Sequence, residues 1–286
     1  MITIDPKEIS TSEFHGWMLH AVAPRPIAFA STIDNNGVPN LAPYSFFNSF
    51  SSNPPTLVFS SNVRVRDNST KDTLANIKAN REVVINVVSY NMVRQMAIAS
   101  VEYPSDINEF EKAGFTPIAS DLVKPFRVAE SPVQMECKVK DIVALGSEGG
   151  AGNLFICEIV KMHVHESVLG ANGKIDPHKI DLVARMGANF YCRASGDAVF
   201  ELNQPVNEIV IGFDKLPEYI RHSDTLTGNE LARLANVKAI PEADPNYNWQ
   251  ELLPPNCSIA EAHQLAKQLL EQDNVAAAWQ VLLAVK

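Results

Sequence analysis

Short apolar runs separated by turn residues fill most of the first 200 residues of this 286-residue chain. Ile27–Ile33 and Val38–Phe50 flank an Asn-Gly pair, which is a strong β-hairpin signal. Pro39 and Pro43 place the second of these strands at a sheet edge or a bulge. Thr56–Ser60 is a third predicted strand. The pattern therefore predicts a β-rich domain.

Helical spacing alternates with further strands. Lys71–Asn80 and Tyr90–Ser100 carry apolar residues at helical intervals, and Glu82–Val88 is typical of a fully buried strand. Gln134–Leu145 and Leu154–Glu166 predict a long hairpin. Its connection, residues 146–152, is rich in glycine but lacks the GxGxxG order and precedes a strand. We therefore interpret it as a flexible hairpin loop and not as a dinucleotide cradle.

The pattern changes near residue 200. Ser195-Gly196-Asp197 and Asn203-Gln204-Pro205 indicate a boundary between a domain of residues 1–200 and an extension of residues 201–286. Thr227-x-x-Glu230 and Ser258-x-x-Glu261 both match the capping box, and each opens an apolar-periodic stretch. The extension is therefore predicted to be helical, with packing or subunit contact as its expected role.

Composition excludes several classes of protein. The net charge of −9 argues against broad binding of nucleic acid or anionic membranes, since both need a basic face. The start of the chain has no signal-peptide pattern and no run has the length of a membrane span, so a cytoplasmic location is expected. The four cysteines lie far apart, which favours reduced buried thiols over disulfides or a zinc site.

The loop between the third strand and the following helix is the best candidate site. A phosphate needs several donors and preferably positive charge. The residues of the loop that supply these are Ser60, Ser61, Asn62, Arg66, Lys71 and Thr73. A helix that begins here adds free backbone N–H groups. The alternative interpretation is a solvated polar loop.

Two other segments carry candidate chemistry. Asn40–Asn48 mixes aromatic and small polar side chains, as a pocket for a flat heterocycle requires. Aromatic runs are more often part of the core, however, and Phe46 and Phe47 are good candidates for plain core packing. His163 and His165 share one face of a strand, but without a third ligand nearby they make a weak case for a metal site. The sequence contains neither an HExxH motif nor a Walker loop.

Taken together, several motifs resemble the flavin reductase-like family of FMN-binding split β-barrel proteins, and the flavoredoxin-like branch in particular. The motifs are Arg25-Pro26-Ile27, Ser31-Thr32, Asn40-x-x-Pro43-Tyr44-Ser45-Phe46-Phe47, Asn53-Pro54-Pro55, Lys71-Asp72-Thr73, Glu109–Gly114 and Leu182–Gly187 followed by Tyr191. The likeness covers roughly residues 14–194 and leaves the helical extension outside.

The resemblance implies a mainly β (α+β) fold, a six-stranded split barrel that forms a homodimer and binds FMN non-covalently near the subunit interface. It implies that Tyr44, Ser45, Phe46 and Phe47 line the flavin ring. Ser31 and Thr32, with Ser60 to Asn62, would hold the ribityl-phosphate region. Arg66, Lys71 and Thr73 would bind the phosphate, and Arg185 would close the site from the second half of the domain.

The resemblance also implies a function in which the flavin carries the chemistry and no catalytic triad is needed. One hypothesis is an oxidoreductase that reduces bound flavin with NADH or NADPH and passes electrons to free flavin, a metal complex or a partner protein. A second is an FMN-carrying electron-transfer protein without NAD(P)H turnover. A third is a dimeric scaffold that has lost its flavin.

Overall fold

The structure is a computed structural model that describes residues 1–202, 208–247 and 257–285. It divides the chain into two compact units, residues 1–200 and residues 201–286. The predicted boundary signal Asn203-Gln204-Pro205 lies outside the described residues.

The first unit combines strands with four helices. Its helices are α1 (Thr11–Ala21), α2 (Asp72–Asn80), α3 (Val93–Ile98) and α4 (Glu109–Ala113). Its strands are β1 (Ala28–Ile33), β2 (Pro39–Tyr44), β3 (Phe47–Ser52), β4 (Pro55–Asn62), β5 (Glu82–Val87), β6 (Pro117–Ile118), β7 (Arg127–Val128), β8 (Val133–Ala144), β9 (Gly152–Val164), β10 (Val183–Gly187) and β11 (Phe190–Arg193). The unit is thus a mixed α+β structure, as predicted.

One antiparallel sheet of seven strands, in the order β2-β1-β5-β8-β9-β4-β3, forms the centre of this unit. Six strands were expected. The predicted strand Val38–Phe50 is broken at Ser45 and Phe46, so that β2 pairs with β1 while β3 pairs with β4 at the far edge. The chain therefore passes from one edge strand of the sheet to the other through these two residues. Barrel closure stays a prediction.

The prolines of β2 fit its place in the sheet. Pro39 and Pro43 lie in an edge strand, as the sequence predicted, because an edge position tolerates a residue without a backbone N–H.

The two faces of the sheet bury separate cores, because successive side chains on a strand point in opposite directions. Ala28 and Ala30 of β1 join one core, which includes Phe59 and Phe155. Phe29, between them, joins a second core with Leu41, Met92, Met96 and Phe110, which come from β2 and from the segment 90–113. The two methionines therefore fill core volume. Burial on both faces explains the continuous apolar run of β5.

The second unit is helical in its described part. Its helices are α5 (Glu218–Arg221), α6 (Gly228–Ala235), α7 (Ile259–Glu271) and α8 (Val275–Ala284). Both predicted capping boxes are present, at the start of α6 and of α7. Trp279 is fully buried and its indole N–H donates to the carbonyl of Leu234 at 3.2 Å. No helix in the described ranges is long and apolar enough to cross a membrane.

Candidate functional site

Two neighbouring cavities lie beside β2 in the first unit. The first, of about 30 Å³, is lined by residues that include Asn40, Arg64, Lys71 and Thr73, and we call it the Lys71 cavity. The second, of about 230 Å³, is the Arg185 cavity, whose lining includes Tyr44, Ser45, Arg185 and Tyr191. Ser100 lines both cavities, so they adjoin.

A group of hydroxyls lies next to the start of α2, and we call Tyr44, Ser61 and Thr73 the hydroxyl cluster. The Tyr44 phenol oxygen and the Ser61 Oγ are buried and have no hydrogen-bond partner. Burial raises the pKa of Tyr44 to about 12, although the nearby Thr73 and Ser61 side chains partly oppose this rise. Because unpaired buried polar atoms cost free energy, the cluster is suited to a ligand that supplies acceptors.

Lys71 adds positive charge to this cluster. Its Nζ lies 4.9 Å from the centre of the Tyr44 ring, and within the described residues it has no ion-pair partner. Burial, helped by the Arg64 charge, lowers the pKa of Lys71. Lys71 also precedes the first residue of α2 and provides no side-chain cap. The first backbone N–H groups of the helix are therefore available to an anion.

The arginines of the loop are placed differently from the prediction. Arg66 does not line the Lys71 cavity, is largely exposed and pairs with Asp67 and Glu102. Arg64 does line the cavity, but its Nε also pairs with Glu102, at 2.9 Å. One carboxylate thus engages both arginines, which leaves Lys71 as the unpaired cation of this cavity among the described residues.

A hydrogen-bond chain from a buried carboxylate fixes the floor of the Lys71 cavity. Glu109 accepts from the backbone N–H of Leu41 at 3.0 Å and from the amide of Asn40 at 3.1 Å. The side-chain oxygen of Asn40 in turn accepts hydrogen bonds from the Thr73 hydroxyl at 2.8 Å and from the Thr32 hydroxyl at 3.4 Å. Burial raises the pKa of Glu109 despite these bonds. Thr32 therefore reaches the site through Asn40.

Other predicted residues lie outside the hydroxyl cluster. Ser60 and Asn62 share a side of β4 opposite to that of Ser61. The Ser60 hydroxyl donates to Asn62 at 3.2 Å, and the Asn62 amide donates to the Gly150 carbonyl at 3.3 Å. Ser31 is fully buried with an unpartnered Oγ, but it follows Ala30 and precedes Thr32 on β1, so its side chain points away from the Thr32 side.

The Arg185 cavity combines an aromatic ring with a cation. Arg185 donates to the Tyr191 hydroxyl at 2.8 Å and to the Ala188 carbonyl at 2.7 Å, and its guanidinium carbon lies 4.7 Å from the Tyr191 ring centre. The backbones of Arg185 and Arg25 exchange two hydrogen bonds of 2.9 Å, which fix the position of this strand. Arg185 therefore lines this cavity from β10.

The three aromatic residues that were predicted to line the flavin ring lie in different surroundings. Tyr44 packs on Phe59 with ring centres 5.2 Å apart and contributes its hydroxyl to the cluster. Phe47 packs against the core, and Phe46 makes an edge contact with His15 at 6.0 Å. Neither Phe46 nor Phe47 lines the Arg185 cavity, whereas Tyr44 and Ser45 do.

The glycine-rich connection between β8 and β9 forms backbone hydrogen bonds with the candidate loop that follows β4. Gly150 N–H donates to the Val63 carbonyl at 2.8 Å, and Val63 N–H donates to the Ala151 carbonyl at 2.9 Å. A Cβ on Gly149 would lie 2.7 Å from the Val65 Cα. The connection is the predicted hairpin loop, and the absence of a side chain at Gly149 allows this close backbone approach.

The sequence reasoning missed three residues of the site. The first is Arg64. Arg64 and Arg66 lie in one Arg-Val-Arg stretch, and the sequence does not show which of the two faces the cavity. Asn40 and Glu109 lie 69 positions apart, so their contact depends on the sheet. In the sequence, the only indication of their importance is that both belong to motifs shared with the flavin reductase-like family.

One cluster away from the cavities has metal-ligating residue types. Ligand atoms of Asp121, Glu136 and His163 lie within 4.8 Å of one another. Glu136 already accepts from the N–H groups of Asp121 and Leu122 and pairs with His163 at 2.7 Å, while Lys161 pairs with Asp121. The cluster is therefore a closed ion-pair network.

Comparison with known proteins identifies the family. The Flavin reductase like domain matches residues 19–179, more than half of the chain. An uncharacterized protein of Aquifex aeolicus (strain VF5) is 36% identical over 191 residues, which cover 67% of this chain and 95% of that protein. The chain belongs to the flavin reductase-like family, and the match ends before residue 201, where the second unit begins.

Solved structures agree with this assignment. Nitrilotriacetate monooxygenase component B from Bacillus cereus has a TM-score of 0.66 and 29% identity, covering 71% of this chain and 98% of that one. The flavoredoxin of Desulfovibrio vulgaris (Miyazaki F) has a TM-score of 0.53 and 22% identity, covering 65% of this chain and 92% of that one, and shares the fold.

Proposed function

We propose that this protein is an FMN-binding oxidoreductase that accepts electrons from NADH or NADPH and passes them to free flavin, a metal complex or a partner protein. The observation that carries the proposal is the pair of buried, unpartnered hydroxyls of Tyr44 and Ser61 beside Lys71 and the open start of α2. Membership of the flavin reductase-like family supports the same ligand.

These residues fit the phosphate of a mononucleotide. Three kinds of donor converge there: hydroxyl groups, an ammonium group and free helix N–H groups, all of which favour a dianion. Lys71, Ser61 and Tyr44 would hold this phosphate. Thr73, whose hydroxyl donates to Asn40, would contribute its backbone N–H. Glu109 and Asn40 would position Thr73 without contact to the ligand.

The adjoining Arg185 cavity fits the flat ring of the same ligand. Its lining combines the apolar side chains of Ile27, Pro43 and Met96 with two tyrosine rings and with the polar groups of Ser45, Ser100 and Arg185. Such a mixture offers both faces and edge partners to a flat heterocycle. Ser45 would face the ring edge, and the Arg185 cation would favour negative charge that develops on the ring. Bound FMN would supply the chemistry, which is hydride acceptance and onward electron transfer. The protein would bind the flavin, orient it and tune its electronic properties. We also propose the homodimer that the sequence predicted.

Two measurements test this function in order. We expect the purified full-length protein to show a flavin absorption spectrum, or to take up added FMN with a stoichiometry of one per chain. A folded protein that stays colourless and does not bind added FMN would overturn the proposal.

The second measurement is anaerobic mixing of the FMN-loaded protein with NADH and, separately, NADPH. We expect rapid bleaching of the flavin absorbance with at least one of them. Firm FMN binding without bleaching would instead assign the protein to the electron-transfer class.

A further inference from the structure

A third cavity adjoins the Arg185 cavity. This groove, of about 360 Å³, runs between the segment Tyr90–Ala97 and strand β11, and we call it the Arg94 groove. Tyr191 lines both the Arg94 groove and the Arg185 cavity. A molecule in the groove can therefore extend past Tyr191 toward the proposed flavin ring, and the volume is typical of sites for small molecules.

The charge of this region is opposite to that of the whole protein. Neither the Arg94 groove nor the Arg185 cavity has an Asp or Glu in its lining, although the chain carries a net charge of −9. In the described part of the chain, Arg94 and Arg185 have no carboxylate partner. The Lys71 cavity is lined by Asp72, Glu102 and Glu109, but each of these carboxylates accepts a hydrogen bond from another protein group. The groove therefore favours an anionic ligand.

The walls of the groove are flat and partly fixed. The Arg193 guanidinium lies 3.9 Å from the centre of the Tyr90 ring and pairs with both carboxylate oxygens of Asp181, at 2.7 and 2.8 Å. Tyr90 and Tyr191 remain 44% and 38% exposed. Exposed rings that are held in place suit stacking with a planar heterocycle. Arg193 is engaged by Asp181, so Arg94 is the groove cation that remains available.

We propose that the Arg94 groove binds the electron donor and that Arg94 recognises a phosphate on the adenosine ribose, which makes NADPH the preferred donor. This inference rests on the proposed function. The forked guanidinium matches phosphate geometry, and an arginine near the adenosine ribose is a general means of accepting the 2′-phosphate. The combination of a flat ring and an anion would also suit an aromatic carboxylate acceptor. The continuity of the groove with the Arg185 cavity through Tyr191 favours the larger dinucleotide.

The test uses two fragments that differ by one phosphate, adenosine 2′,5′-bisphosphate and adenosine 5′-monophosphate. Each is titrated by calorimetry into the full-length protein, both flavin-free and FMN-loaded. We expect the bisphosphate to bind more tightly. Arg94→Gln should weaken bisphosphate binding at least tenfold and monophosphate binding much less. Lys78→Gln, which removes one exposed positive charge from α2 outside the groove, should leave both affinities within about twofold.

Kinetics provide a second readout. In Arg94→Gln the ratio of kcat/KM for NADPH to kcat/KM for NADH should fall about tenfold. Equal affinity for the two fragments, or an unchanged ratio in the variant, would overturn the inference. So would benzoate binding that Arg94→Gln weakens while bisphosphate binding is unchanged. Failure of the FMN titration with retained bisphosphate binding would refute the proposed function and leave the groove assignment standing.

Discussion

The Lys71 ammonium lies 4.9 Å above the ring of Tyr44, whose own hydroxyl is buried without a partner. A desolvated cation and an unpaired phenol each cost free energy in the absence of ligand. An anion bound at this point would satisfy both groups at once, and the predictions on FMN binding follow from this relationship.

Lys71→Ala should weaken FMN binding, whereas Arg66→Ala should change it by about twofold or less. Loss of one charge-assisted hydrogen bond corresponds to about 1.5–3 kcal/mol, which is a rise in Kd of roughly 10- to 150-fold. Arg66 is exposed and already paired with Asp67 and Glu102, so its contribution is small. Fluorescence titration of FMN measures both variants. An equal effect of the two substitutions would contradict the assignment of the phosphate to Lys71.

Tyr44→Phe should affect stability and binding in opposite directions. Removal of an unpaired buried hydroxyl should stabilise the flavin-free protein by about 1 kcal/mol, while the loss of a donor weakens FMN binding. Ser61→Ala should behave in the same way. The matched control is Tyr219→Phe, because the Tyr219 hydroxyl donates to the Leu282 carbonyl at 3.1 Å and its loss should destabilise. Urea unfolding with and without FMN measures these effects. If Tyr44→Phe made the flavin-free protein less stable, the Tyr44 hydroxyl would have a hydrogen-bond partner, contrary to the structure.

Gly149→Ala should disturb the candidate loop from a distance. The new methyl group would lie 2.7 Å from the Val65 Cα and 3.2 Å from the Arg64 carbonyl, so the backbone must shift. We expect a loss of about 1–3 kcal/mol in stability, typical of overpacking, together with weaker FMN binding. Gly16→Ala is the control, because nothing lies within 4 Å of that position and the helix should gain stability. Indistinguishable melting temperatures for Gly149→Ala and the wild type would rule out the bracing role.

The second unit should lose stability in mild acid through His263. Its Nδ1 lies 2.7 Å from Ser223 Oγ, which already accepts two backbone N–H groups and so donates its hydrogen to His263; the Nε2 of the ring is then a buried N–H without a partner. Burial lowers the pKa of His263 below its usual 6.5. Below pH 6.5 the unfolded chain binds a proton that the folded chain does not, so stability falls as the pH falls, by up to about 1.4 kcal/mol per pH unit.

The measurement is the free energy of unfolding of the full chain at pH 7.5 and 5.5. His263→Phe keeps a ring next to Tyr219 but cannot titrate, so its difference between the two pH values should be smaller than that of the wild type. An equal difference in both proteins would show that other groups cause the acid sensitivity.

Most local structure was predictable because it depends on neighbouring residues. The Asn-Gly turn, the helix before Asn80 and both capping boxes were all visible as short-range patterns, and the structure contains each of them. The break of the second strand at Ser45 and Phe46 was missed, because the apolar pattern continues through it. What ends the strand is pairing with β4 on a distant part of the sheet.

The sequence alone determined the family and the candidate loop, since both depend on residue types at fixed spacing. Only the tertiary structure decided which side chains meet. Strand alternation separates Ser61 from Ser60 and Asn62, Glu102 engages both arginines, and Glu109 reaches Asn40 across 69 positions. The physical reason is that a binding site is a set of long-range contacts. These contacts are fixed by sheet register and core packing, which no local spacing encodes.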